Sequence, residues 1–165
     1  MKLTLMRYFL LILVLFSGRL QAQEKPKEIY NITADAESEI KNAVLRAEKE
    51  GKHVLLMLGG NWCRWCRMYD KFRLENAKID SASQTNFIFL HVNYSKENKN
   101  PAVMEMLDFP QRFGFPVFVV LDGKGNRLHT QNSAYLEAGE GYSEEKVLEF
   151  YSQWAPAALD PVKYR

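Results

Sequence analysis

Apolar residues in this chain fall into one continuous run and several periodic stretches. Tyr8–Phe16 (YFLLILVLF) is unbroken, with Lys2 and Arg7 before it and Ser17-Gly18-Arg19 after it. Such a run is shorter than the ~20 apolar residues that a membrane-spanning helix needs. Further on, Ile40, Ala43, Val44 and Ala47 recur at helical spacing. They predict an amphipathic helix with Thr33 or Asp35 as N-cap and Gly51 as its stop. At most a short strand near Tyr30 precedes it. His53–Leu58 (HVLLML) reads as a strand buried on both faces, ended by Gly59-Gly60-Asn61. Trp65, Met68, Tyr69 and Phe72 then resume the helical period.

Phe87–Val92 (FIFLHV) predicts a second buried strand, followed by a polar loop and a short helix opening at Pro101. Met104 and Met106 are expected to fill core space in that helix. Val117–Leu121 (VFVVL) predicts a third strand. The Asp122–Asn126 turn joins it to Arg127–Thr130, so this pair is expected to form an antiparallel hairpin. A last helix carries Val147, Leu148, Tyr151 and Trp154 behind the N-cap Ser143. The expected order is β-α-β-α-β-α-β-β-α, with no repeat and no internal linker. Early strand-helix alternation followed by a hairpin implies an α/β fold: a mixed β-sheet flanked by helices on both faces.

The chain has 165 residues, 47% apolar and 25% charged, which suits one compact domain and excludes disordered, collagenous and coiled-coil classes. The basic start, the short apolar run and Leu20-Gln21-Ala22 together read as an export signal spanning residues 1–22, leaving 23–165 as the mature domain. Leu20 at the minus-three position keeps an uncleaved anchor as the alternative. With cleavage the product is periplasmic or secreted, with no stable membrane insertion. Loss of Lys2, Arg7 and Arg19, with no acid among residues 1–22, turns the net charge from +2 to −1. A near-neutral domain without a basic stripe offers nothing to attract nucleic acid.

Cys63 and Cys66 are the only cysteines, spaced C-x-x-C within Trp62-Cys63-Arg64-Trp65-Cys66 where a helix is expected to begin. Free backbone N–H groups and the helix dipole favour a thiolate there, and Arg64 adds positive charge. An exposed, acidified Cys63 would attack a substrate disulfide, and a shielded Cys66 one turn on would resolve the mixed disulfide.

The strand, the W-C-x-x-C junction, its helix and the later Gly114-Phe115-Pro116-Val117 stretch resemble the thioredoxin superfamily. The likeness is strongest to its exported bacterial thioredoxin-like branch with W-C-x-W-C, over about Tyr30 to Trp154. The resemblance implies a thioredoxin fold, Cys63 and Cys66 as the redox pair, and Pro116 as a cis-proline facing it. Phe115 would then touch substrate. Trp62 is expected on the rim of the site, and Trp65 mainly in packing, with substrate contact as its alternative. Together with Arg64, these residues form the expected substrate surface, for protein thiols and disulfides. No bound cofactor is expected. Branch members are usually assigned as reductases, which implies a membrane electron donor.

Two departures stand out. Thioredoxin carries Gly-Pro between its cysteines where this chain has Arg64-Trp65, and its buried acid six residues before the first cysteine is Met57 here. A metal site is disfavoured, because His53, His91 and His129 lie on separate predicted strands without ligand spacing. An inert structural disulfide, and a non-catalytic, chaperone-like module that captures partners on its apolar surface, are the remaining alternatives.

Overall fold

The computed structural model describes residues 27–165, so the expected export signal lies outside the described residues. Helix α1 (Ala36–Glu50) begins at Asp35, whose side chain accepts the Ser38 N–H, and ends at Gly51 with φ +65°. A left-handed backbone at that position suits glycine because it has no Cβ to crowd the preceding carbonyl. Strand β1 (His53–Gly59) follows, then α2 (Arg64–Glu75), α3 (Ala77–Asn86), β2 (Phe87–Asn93) and the short α4 (Pro101–Met106). Strands β3 (Val117–Leu121) and β4 (Arg127–Asn132) come next, then a two-residue ribbon of β5 (Glu137–Ala138) and β6 (Gly141–Tyr142), and finally α5 (Glu144–Trp154).

The main sheet runs β2-β1-β3-β4, with β1 parallel to β2 and antiparallel to β3. Every residue of β1 and β3 is buried, as expected for central strands covered on both faces. Strand side chains alternate between faces. Accordingly Val54, Leu56 and Leu58 meet the α1 stripe of Ile40, Ala43 and Ala47 on one side. Leu55 and Met57 meet Tyr69, Ile79, Val147 and Tyr151 from α2, α3 and α5 on the other, which is also the side that holds both cysteines.

Four expectations need correction. No strand precedes α1 among the described residues: Tyr30 sits in irregular chain whose backbone is held by one side chain, with Asn61 Oδ1 accepting the Ile29 and Tyr30 N–H groups and Nδ2 donating to the Tyr30 carbonyl. The helix after the cysteines is two helices, split at Asn76, whose side chain caps α3 through Lys78 and Ile79 N–H. Only Ile79 and Ser83 of α3 are buried, so its sequence carries little periodic signal. The β5-β6 ribbon is too short for a strand pattern to register. Met104 is buried as expected, but Met106 is 54% exposed, because α4 turns only one face to the sheet.

Candidate active site

The site grows out of the junction between β1 and α2. Cys63 is the N-cap of α2, with extended backbone, and its sulfur accepts the Cys66 N–H at 3.1 Å. A cap position leaves the first N–H groups of the helix without partners of their own, so they point at whatever sits there. Here that is the sulfur expected to attack. Cys63 and Cys66 are joined as a disulfide, with Cα atoms 5.3 Å apart. Burial falls in the expected order but is deeper: Cys66 is fully buried, and Cys63 is 4% exposed rather than open to solvent. Attack at Cys63 therefore needs a partner that presses onto the rim.

That rim is aromatic. Trp62 is 58% exposed, and its Nε1 donates to the Tyr94 carbonyl at 2.9 Å. Phe115 meets Trp62 edge-on at 5.5 Å between ring centres and stacks on Tyr94 at 5.0 Å. Gly60 permits this arrangement, since a Cβ there would overlap the Trp62 indole. The Phe115–Pro116 bond is cis, and Pro116 is buried at the entry to the central strand β3. Beside Trp62 opens a cleft of about 660 Å³ bordered by Ile32, Asn61, Tyr94 and Ser95.

Arg64 is exposed. Trp65 is half-buried and turns to Tyr142, edge-on at 5.7 Å, while the Tyr142 hydroxyl donates to the Trp65 carbonyl. Trp65 thus packs against Tyr142. The structure thus brings Trp62 and Phe115 together beside the disulfide and turns Trp65 toward the β5-β6 ribbon. Sequence reasoning missed Tyr94 and Tyr30, whose partners lie about thirty residues away along the chain. No local pattern marks either.

Met57 is fully buried in the cluster that holds the cysteines, so β1 supplies no acid to Cys66. The buried acid on this side of the sheet is Asp70, one turn beyond Cys66 on α2. Its Oδ1 lies 3.0 Å from His91 Nε2 and 3.4 Å from Arg73 Nη2. Burial pushes the Asp70 carboxyl up, but the His91 hydrogen bond and the charges of His91 and Arg73 outweigh it and hold the carboxyl below its ordinary value. A lowered folded pKa gives stability that is present above the unfolded value and lost as pH falls through the folded one. Asp70→Asn is therefore expected to cost about 2 kcal/mol at pH 7. Its deficit against the parent chain should shrink below pH ~4. Urea melts across that range provide the check.

A family profile described as thioredoxin-like matches residues 35–123. The thiol:disulfide interchange protein DsbD of Colwellia psychrerythraea is 23% identical over 104 residues, which is 62% of this chain and 17% of that protein. A disulphide isomerase from Xylella fastidiosa Temecula1 is similar in structure, with a TM-score of 0.68 and 25% identity, over 78% of this chain and 97% of that one. The oxidised C-terminal domain of DsbD from Neisseria meningitidis superposes with a TM-score of 0.50 and 18% identity, over 75% of this chain and 99% of that one.

Proposed function

The chain belongs to the thioredoxin-like family, and from that premise we propose that it is a thiol-disulfide oxidoreductase that reduces protein disulfides outside the cytoplasm. The observation that carries this reading is the Cys63–Cys66 disulfide seated on the N-terminus of α2, with a backbone N–H aimed at the Cys63 sulfur. The name of the Colwellia relative, a thiol:disulfide interchange protein, supports the same chemistry.

In the dithiol form, the Cys63 thiolate attacks one sulfur of a substrate disulfide. A Cys63–substrate bond forms, the substrate S–S bond breaks, and the other substrate sulfur leaves as a thiolate that takes up a proton. Cys66 then attacks the Cys63 sulfur, releases the second substrate thiol and closes the disulfide. Two electrons have passed to the substrate. A dithiol donor, proposed to be a membrane protein, returns them.

Trp62 and Phe115 form the apolar rim against which an extended or partly unfolded substrate segment lies, with Pro116 beneath it and Arg64 completing the surface. Aromatic surface of this kind gives large contact area at low entropy cost. Residues 1–22 act as a cleaved export signal and 23–165 as the working domain, which places the protein in the periplasm or outside the cell.

The test of direction is the midpoint potential of the Cys63/Cys66 couple, equilibrated against dithiothreitol or glutathione and read by thiol alkylation. A reductase is expected near about −270 mV; a value near about −120 mV makes the protein an oxidant and overturns the proposed direction.

A further inference from the structure

Tyr30 carries a buried hydroxyl that the disulfide form leaves without a hydrogen bond. The residue is 3% exposed, and its oxygen is one of four buried side-chain polar atoms without a partner among the described residues. Leaving such a group unpaired costs on the order of 1–3 kcal/mol, so its persistence calls for a reason. Asn61, on the loop that leads into the cysteines, holds the backbone at Ile29 and Tyr30 by accepting two hydrogen bonds and donating one, and Arg67 of α2 donates to the Asn61 carbonyl. The ring also meets His91 edge-on at 5.2 Å. Its position is thus held from two sides.

The hydroxyl and the Cys66 sulfur both lie against Gly59. A Cβ built there would overlap Cys66 Sγ and lie 2.7 Å from the Tyr30 oxygen. Sulfur and hydroxyl converge on one point at the end of β1, and a glycine there leaves room for both.

We propose that in the reduced protein the Tyr30 hydroxyl donates a hydrogen bond to the Cys66 sulfur and so stabilises its thiolate, the form that resolves the mixed disulfide. A disulfide sulfur is a weak acceptor, whereas a thiolate is a charged one, so the bond gains strength when the disulfide opens. In a chain whose β1 offers Met57 in place of an acid, this donor takes over the support of Cys66. Tyr30 keeps its own proton throughout: burial, and then the negative charge of Asp70, push its phenol well above the ordinary value. In the step it assists, Cys66–SH and Cys63–S–S–R become Cys63–S–S–Cys66 and HS–R. The proton that Cys66 gives up balances the one that the leaving thiolate takes up.

This inference rests on the proposed redox role, but one measurement is independent of turnover. In a Cys63→Ser background Cys66 is the sole thiol, and its thiolate is titrated by ultraviolet absorbance with and without Tyr30→Phe. The titratable and charged groups around Tyr30, namely Asp70 and Arg67 of α2, His91 of β2 and Tyr142 of β6, are the same in both chains. Tyr30→Phe is expected to raise the Cys66 pKa by about one unit, a tenfold drop in thiolate at a pH below it.

With both cysteines present and at a pH above the Cys66 pKa, the same substitution shifts the equilibrium against dithiothreitol about tenfold toward the disulfide, because only the reduced form loses the bond to the thiolate. The oxidised form, losing none, should melt no lower than the parent chain. The Tyr30 ring Cζ carbon-13 shift, followed by NMR through the same titration in the Cys63→Ser chain, needs no substitution at Tyr30 and serves if Tyr30→Phe fails to fold: it is expected to move as Cys66 ionises, and a shift that stays constant overturns the proposal. Identical Cys66 titrations in the parent and Tyr30→Phe chains overturn the proposal and leave Tyr30 a packing residue. A Cys63–Cys66 disulfide that dithiothreitol cannot open and reclose overturns the redox role instead.

Discussion

Cys66→Ala is expected to lock the protein onto its substrates. Cys63 keeps its cap position in this variant, since the N–H that its sulfur accepts comes from the backbone of residue 66, not from the thiol that is removed. The first attack therefore proceeds. Nothing on the protein attacks back, so the Cys63–substrate disulfide persists until an outside thiol arrives. Mixed complexes should accumulate on non-reducing gels, vanish with dithiothreitol and be absent from Cys63→Ser, while turnover in both variants falls to the uncatalysed rate. Full activity in a Cys63→Ser, Cys66→Ser double variant would instead favour a partner-capturing module built on the Trp62–Phe115 surface.

Phe118→Ala is expected to cause the largest loss of stability. Phe118 lies on central strand β3, fully buried, between Met57 of β1 and Gln131 of β4 in register. Its ring packs 4.5 Å from that of Tyr69 and 6.1 Å from that of Phe150, so it joins the sheet to both α2 and α5. Removing a ring from such a place loses its transfer energy and leaves a cavity between elements that cannot close up, at a cost of about 3–5 kcal/mol. For a domain of this size the melting temperature should drop by roughly 10 °C. Met106→Ala, on the exposed face of α4, should stay within about 0.5 kcal/mol of the parent chain, and thermal melts of the two variants side by side check both. A Phe118→Ala loss below about 1 kcal/mol would mean that the core under the cysteines repacks.

The sequence alone determined whatever is encoded locally. The caps at Gly51 and Ser143, an N-cap at Thr33 or Asp35 of which the structure uses Asp35, the two-sided burial of β1 and β3, the β3-β4 hairpin and the C-x-x-C at a helix start were legible, because each depends on residues a few positions apart. Local signal failed where it was weak or cut short. Helix α3 has only two buried positions to announce it, and Met106 follows the apolar pattern yet faces solvent.

Tertiary structure alone decided what surrounds the sulfurs. Trp62 meets Phe115 and Tyr94, Asp70 meets His91, and Tyr30 is tied to Asn61 at a separation of 31 residues. Nothing in the periodicity of a strand or helix specifies which distant side chain arrives at a given point; that is settled by how strands order in the sheet and which helix faces close over them. Gly59 shows the difference most directly. In sequence it ends an apolar run, and only the packing of Tyr30 and Cys66 against the same point shows why a side chain there has no room.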